Sequence, residues 1–418
     1  MRVKRFTTFL VLVVFPVIGT ARSATLTLKD CLLRVQQNSH ILQAYQHRAE
    51  ASRKNYQFEK ARTLPQFSGE LSREQRYLQP FRFRQQWALV HGDWALGDFL
   101  LKTARAADQD MLMAKAEKEQ IRLQVVRRAA LLYVNYLQKQ ASIDLLQRRV
   151  NLLKVHHDVA RALWQAGTRT QLDVLQTESQ LSQLAEQMAV LDMQQQNLLQ
   201  ELMRLTGWQQ ADSLRLQPID AVAICARPLP EAGDELLQSN PLVRALDFRI
   251  KAQRIRTLNA RAQQLPHVYV DGGFFADGDP SGDGNYWQVD AGITLPLFQW
   301  GTTKYQRQRS QALVQSLESR KKDVQRELKI NIEQTLEKMR KLKRVLGLQQ
   351  SRLQTVEKTF RFAEANYQAG LITNLDYLSA QQQLTATKIA IQETQLEYVM
   401  NLVEFYIMTN QVEKIEAM

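Results

Sequence analysis

Few residues in this chain are placed to make or break bonds. His156 and His157 are adjacent, and neighbouring positions on a helix project about 100° apart, so the two imidazoles do not share one metal comfortably. His157 falls on an apolar stripe and reads as packing. No Walker-type phosphate loop, zinc spacing or nucleophile elbow is present. The expectation is therefore a protein that is not an enzyme, with no catalytic residues, no metal and no cofactor. The carboxylates are more informative. Asp173 and Asp376 each stand three residues after a threonine, Thr170 and Thr373, and each threonine follows a glycine, Gly167 and Gly370, by three. Glycine enters the left-handed conformation that ends a helix at little cost. A threonine with an acid three residues on is a capping box, written here with Asp for the usual Glu. The chemistry is that of a helical bend.

The bend is written twice. Ala166 to Leu175 and, 203 positions later, Ala369 to Leu378 share this pattern, each between two long helical runs. A loop so short makes the flanking helices antiparallel. The flanks match too: Leu64-Pro65-Gln66-Phe67 corresponds to Leu265-Pro266-His267-Val268, and Trp94-Ala95-Leu96-Gly97 to Phe298-Gln299-Trp300-Gly301. The offset stays between 201 and 204, which is an internal duplication. Residues 22–208 form the first repeat, 209–233 a linker carrying Pro218, Pro228 and Pro230, and 234–418 the second repeat.

In the first repeat, Thr27 to Thr63 reads as one helix with a possible cap at Thr27-Leu28-Lys29-Asp30, ended by Pro65. Phe67 to Glu74 and Arg84 to Trp94 alternate with period two, around a turn near Pro80. No Gly or Pro follows Gly97 until Gly167, a helix of roughly 100 Å. A shorter helix runs from Thr170 to about Leu205. The strands are clearer in the second repeat. Trp287, Val289, Ala291 and Ile293 alternate with Gln288, Asp290 and Gly292, and Val268, Val270, Gly272 and Phe274 with Tyr269 and Asp271. One face is apolar although the flanking helices offer no globular body to cover it. A membrane hairpin of about nine residues per strand fits, with Trp287, Val289, Ala291 and Ile293 facing lipid.

The last helix carries two seams. Leu375, Leu378, Thr385, Ile389, Leu396, Val399, Val403 and Tyr406 form one, and Tyr377, Leu384, Ile391, Tyr398 and Phe405 the other. A two-stranded coiled coil needs one seam, so this helix has a neighbour on each side, as in a cylinder of helices. The long helix keeps a single stripe, Ile143, Leu146, Val150, Leu153, Ala160 and Trp164. Four strands per chain cannot close a barrel, and open edges are not tolerated in lipid. Two chains would give a filled interior; three give twelve strands and a conduit.

The N-terminus reads as a signal peptide over residues 1–21, with Arg2, Lys4 and Arg5 before an apolar run from Phe9 to Ile18. Cleavage after Ala21 or after Ser23 both fit, and the first is preferred. Its loss lowers the formal charge from +13 to +10. The basic stretch between Lys304 and Arg344 reads as a solvated helix face, without the aromatic interleaving of a nucleic-acid surface. Leu28-Lys29-Asp30 before Cys31 is no lipobox. For Cys31 and Cys225 two readings stay open, a disulfide or two buried thiols.

Helix, two strands, long helix, bend and helix, written twice behind a signal peptide, resemble the TolC-like outer membrane efflux proteins of Gram-negative bacteria, the outer membrane factors. The Ala-Gly-x-x-Thr-x-x-Asp bends and the Leu297-Phe298-Gln299-Trp300-Gly301 exit from the strands carry the same resemblance. It implies a mainly α protein with membrane β structure. Long antiparallel helical hairpins would form a trimeric α-barrel tunnel in the periplasm, and four strands per chain a 12-stranded β-barrel in outer-membrane lipid. The implied function is the exit duct of a tripartite efflux or type I secretion system. The implied partners are two further copies of the chain, a periplasmic adaptor (membrane fusion) protein and an inner-membrane pump, with no nucleic acid. Gly167, Thr168, Arg169, Thr170, Gly370, Leu371, Ile372 and Thr373 become adaptor-docking tips, and Tyr367, Asp376 and Asp173 a periplasmic constriction. Asp376 is open to two readings, a cap alone or a cap within a carboxylate ring. The family locks its entrance with a Tyr and an Arg of the second repeat. Tyr367 matches the first, but Ile372 stands at the Arg position while Arg169 appears in the first repeat. The rivals are an exported coiled-coil scaffold without a pore and, lower, a soluble helical enzyme or binding module.

Overall fold

The computed structural model describes residues 24–78, 81–208, 214–231, 233–277, 285–298 and 300–418. The signal segment, the turn near Pro80 and the loop 278–284 lie outside the described residues.

Each repeat starts at a short helical pair. The single helix expected over 27–63 is two, α1 (Leu28–Asn38) and α2 (His40–Arg62), split where Ser39 turns extended to end one and cap the next. The cap at Thr27 forms as expected, its hydroxyl accepting from the Asp30 amide at 3.0 Å. In the second repeat α7 (Asp234–Ser239) and α8 (Pro241–Asn259) are split the same way at Asn240. Side-chain amides pin both repeats: Asn38 donates to the Thr206 carbonyl at 2.7 Å, and Asn240 to that of Met408 at 3.0 Å.

Four long strands follow: β2 (Gln66–Leu78), β3 (Phe81–Ala95), β5 (His267–Asp277) and β6 (Asn285–Thr294). They form one antiparallel sheet in the order β2-β3-β5-β6, so the two hairpins of the duplication pair edge to edge. The register sets the faces. Phe67, Gly69 and Leu71 share a face with Val90 and Gly92, then with Val268, Val270, Gly272 and Phe274, then with Trp287, Val289, Ala291 and Ile293. The opposite face carries Ser68, Glu70, His91, Asp93, Asp271, Gln288 and Asp290, with His91 bonded to Asp271. Period-two alternation in four separate stretches thus adds to one apolar band, which ends where Arg73 and Gln86 pair on the same face, while Trp87, Leu89 and Phe275 lie on the opposite one.

The long helix expected to start at Gly97 starts later. A short α3 (Leu96–Leu101) ends with Lys102 in the left-handed region, and α4 (Arg105–Gln165) runs about 90 Å from there. It returns as α5 (Gln171–Thr206). In the second repeat α9 (Thr302–Gln368), about 100 Å long, returns as α10 (Asn374–Met408), followed by α11 (Val412–Glu416). As its two seams require, α10 packs against α9 on one side and α4 on the other. Leu378, Thr385, Leu396, Val399 and Val403 of one seam and Tyr377, Tyr398 and Phe405 of the other are buried. Leu375 departs from this pattern and is exposed beside the bend, as is Trp164 at the end of the α4 stripe. No helix among the described residues is long and apolar enough to cross a membrane.

The linker has structure of its own. Its β4 (Leu214–Leu216) pairs in parallel with β1 (Ala24–Leu26), and α6 (Ala221–Ala226) is capped by Asp220 and packs on α10. Tyr133 of α4 is fully buried and donates to the carbonyls of Leu26 and Gln217 across this girdle, at 2.9 and 2.7 Å. The two cysteines are free thiols in different clusters, Cys31 beside Val126 and Leu202, Cys225 beside Tyr398. Burial pushes their pKa up to about 12 and about 11, which leaves both protonated and inert.

Candidate functional site

The helix pairs α4/α5 and α9/α10 end side by side in two bends. Backbone geometry is the same in both. Gly167 and Gly370 sit at φ +74° and +78°, and a Cβ added at either would meet nothing within 4 Å. These positions need glycine for the dihedral alone, since open space surrounds them. Gly167, Thr168, Thr170, Gly370, Leu371 and Thr373 are exposed, while Arg169 and Ile372 are half-buried.

The side chains diverge. In the second bend the expected capping box is complete: the Asp376 amide donates to Thr373 Oγ1 at 3.2 Å, and Asp376 Oδ2 accepts from the Thr373 amide at 3.0 Å and from its hydroxyl at 2.6 Å. Those hydrogen bonds hold the exposed Asp376 carboxyl below its ordinary value. In the first bend the box fails. Thr170 occupies the cap position without a side-chain bond, and the Asp173 amide turns to the Thr170 carbonyl at 3.2 Å.

Arg169 crosses from one bend to the other. Its guanidinium lies 4.8 Å from the centre of the Tyr367 ring and donates to the carbonyls of Tyr367 at 3.3 Å and Ile372 at 3.0 Å. The arginine missing at position 372 is thus replaced by one that reaches the Ile372 backbone from the other repeat. Tyr367 is 1 % exposed, and burial raises its pKa, with the nearby Asp173 charge adding to the shift. Of the residues expected at a constriction, Tyr367 is buried and its pKa is raised in part by the charge of Asp173, whereas the Asp376 carboxylate stays on its own cap.

Behind the bends lies a cluster that the sequence reading missed. His156, not His157, is the packed imidazole: it is buried, 3.9 Å from Tyr377 in a near-parallel stack and 4.7 Å from Tyr367. His157 is half-buried and meets Glu178 at 3.1 Å. Asn374, at the first position of α10, meets His156 and α5 in the same cluster. Phe360, Leu146, Leu153, Leu184 and Leu378 surround these rings, so residues of all four helices share one core. Among the described residues no group of three His, Cys, Asp or Glu side chains can hold a metal ion.

A family model described as outer membrane efflux protein matches residues 32–208 and 232–411. The pyoverdine export outer membrane protein OpmQ of Pseudomonas aeruginosa is 26 % identical over 254 residues, 58 % of this chain and 52 % of that protein. OpmQ of Pseudomonas putida is 22 % identical over 314 residues, 73 % of this chain and 66 % of that one. The matches thus span about half to two thirds of the length of these curated relatives. The solved structure of CusC superposes with a TM-score of 0.82 at 17 % identity, over 91 % of each chain. A likeness at that identity establishes the fold.

Proposed function

Because the chain belongs to the outer membrane efflux protein family, we propose that it is the outer-membrane exit duct of a tripartite efflux or type I secretion system. The observation that carries this reading is the sheet. Across four strands runs one apolar band, with Trp287, Val289 and Ile293 each 70 % exposed or more, and the helices stand at its end rather than against it. A coiled-coil scaffold has no use for such a face, and lipid covers it without further protein. Among the described residues the sheet's edges, β2 and β6, have no partner strand, and in lipid further copies must close them.

Three copies supply twelve strands and close the helices as well. Beyond its contacts with α7, α8 and α10, α9 exposes Ile330, Val345, Leu348 and Phe362, and α5 exposes Leu172, Leu175, Val190 and Met193. A head-to-tail contact between these two flanks makes a closed ring under threefold symmetry. The bends lie at the far end of helices about 100 Å long, where exposed backbone and small side chains suit end-to-end docking with an adaptor's helical hairpin. An inner-membrane pump then delivers substrate through that adaptor.

The test is assembly in the outer-membrane fraction. Val289→Arg should cost about 2–4 kcal/mol near mid-bilayer and deplete a heat-modifiable trimer. Asp290→Val, on the water-facing side, should leave the trimer in place. The opposite pattern reverses the faces, and a monomer from protein never denatured removes the duct. Sensitivity of a deletion strain to metals and drugs then identifies the cargo.

A further inference from the structure

Asn374 opens α10, where a polar side chain normally faces water, yet it is 1 % exposed. At the matched position of the first bend stands Gln171, which is exposed. The whole Asn374 amide is engaged. Its Nδ2 donates to the Asp173 carbonyl at 3.0 Å and to Gln176 Oε1 at 3.1 Å, with Thr177 Oγ1 at 3.4 Å. Its Oδ1 lies 2.7 Å from His156 Nε2. Because the amide nitrogen is spent on those acceptors, Oδ1 accepts, and His156 must carry its proton on Nε2. His156 in turn is held between the rings of Tyr377 and Tyr367. One amide therefore joins α10 to α4 and α5, and through the imidazole to α9.

Capping does not require any of this, since Thr373 and Asp376 already cap α10. A buried amide is costly unless every polar atom is paired, and all the partners here come from the other repeat. Resting on the duct reading above, we propose that Asn374 and His156 are positioning residues that hold the second bend onto the first hairpin and so keep the entrance of the duct narrow. Arg169 is the outer strap of the same joint, and Asn374 its inner pin.

Two tyrosine rings contact His156, and two further charges act on it. Asp173 on α5 favours the imidazolium and His157 on α4 opposes it, while Tyr367 on α9 and Tyr377 on α10 form the walls. Arg169 stacks on Tyr367. Burial prevails and holds His156 below its ordinary value of 6.5. The stability of the joint is then complete above that unfolded value and declines as pH falls beneath it, because the unfolded imidazole takes up the proton first.

Trimers in planar bilayers test this. Asn374→Asp keeps the shape and the acceptor but removes the donors, so it should raise the open fraction about tenfold at normal trimer abundance. Asn374→Leu should do the same, and Gln171→Leu should not. Acidification from about pH 7.5 to about 5.5 should open the wild type. His156→Gln, which keeps an N–H donor without a titratable ring, should respond far less. If Asn374→Leu does not assemble, Asn374→Asp and the pH comparison decide. Asn374→Asp pores gating as wild type, or an unchanged pH response in His156→Gln, overturn the joint alone. Wild-type protein that conducts under no condition overturns the duct and the joint together.

Discussion

The two bends share a sequence pattern and the same backbone, yet only one of them is self-sufficient. The second closes its own capping box and buries Asn374 and Tyr377 beneath it. The first leaves Thr170 uncapped by side chain and sends Arg169 across to its neighbour. Both bends keep glycine at the left-handed position, because only glycine meets that dihedral cheaply. Side chains are free to diverge once a neighbouring copy can supply the missing partner. The pair has become a donor bend and a receiver bend, and the joint between them exists in neither repeat alone.

The largest test of that asymmetry compares matched core positions. Tyr377 and Val174 are both buried and 203 residues apart. Tyr377→Ala removes the ring stacked on His156 and should destabilise the tip region by about 3–5 kcal/mol. Val174→Ala should cost about 1–3 kcal/mol. Hydrogen exchange of the amides in each bend reads both. Equal losses would mean that the two bends rest on equivalent cores.

The glycines should instead behave alike. Gly167→Val and Gly370→Val each force a β-branched residue into the left-handed region, at about 1–2 kcal/mol. Neither meets a steric neighbour, so trimer abundance should stay near normal while adaptor crosslinking and export fall. The double variant exporting normally at normal trimer levels would take the bends out of the mechanism. A large difference between the two single variants would show that one backbone carries strain from its partner.

How much of this was legible follows from what each feature depends on. The bends, the strands and the two seams of α10 follow from local periodicity and glycine placement, so they are readable residue by residue. The breaks at Ser39 and Lys102 were not, because neither Gly nor Pro marks them. The linker's β4 could not be read from three residues whose partner lies at Ala24–Leu26. His157 falls on the single apolar stripe of α4 and His156 does not, and one stripe cannot mark a helix packed on more than one side. Asn374 gave no warning at all: beside a capping threonine an asparagine looks like surface, and its burial is a fact about the other repeat. The failure of the first capping box has the same origin, since Thr170-x-x-Asp173 reads identically to its copy.

That identical reading supports the smallest and sharpest test. Thr373→Ala removes a cap that is made at both ends and should cost about 1 kcal/mol, whereas Thr170→Ala should cost close to nothing. Acid separates the two further. Hydrogen bonds from the Thr373 hydroxyl and amide favour the charged form of Asp376 and lower its folded pKa from 3.8. A lowered folded pKa contributes stability that is present above the unfolded value and is lost as pH falls through the folded one. The cost of Thr373→Ala should therefore shrink below about pH 4, as Asp376 takes up a proton and lets go of its partner. Thr170→Ala has no such box to lose and should show no such trend. Exchange rates at the Asp376 and Asp173 amides, followed from neutral pH into acid, measure the difference directly. A cost for Thr170→Ala that matches Thr373→Ala and fades over the same range would mean that the first bend closes its box as well, and that the two tips are equivalent after all.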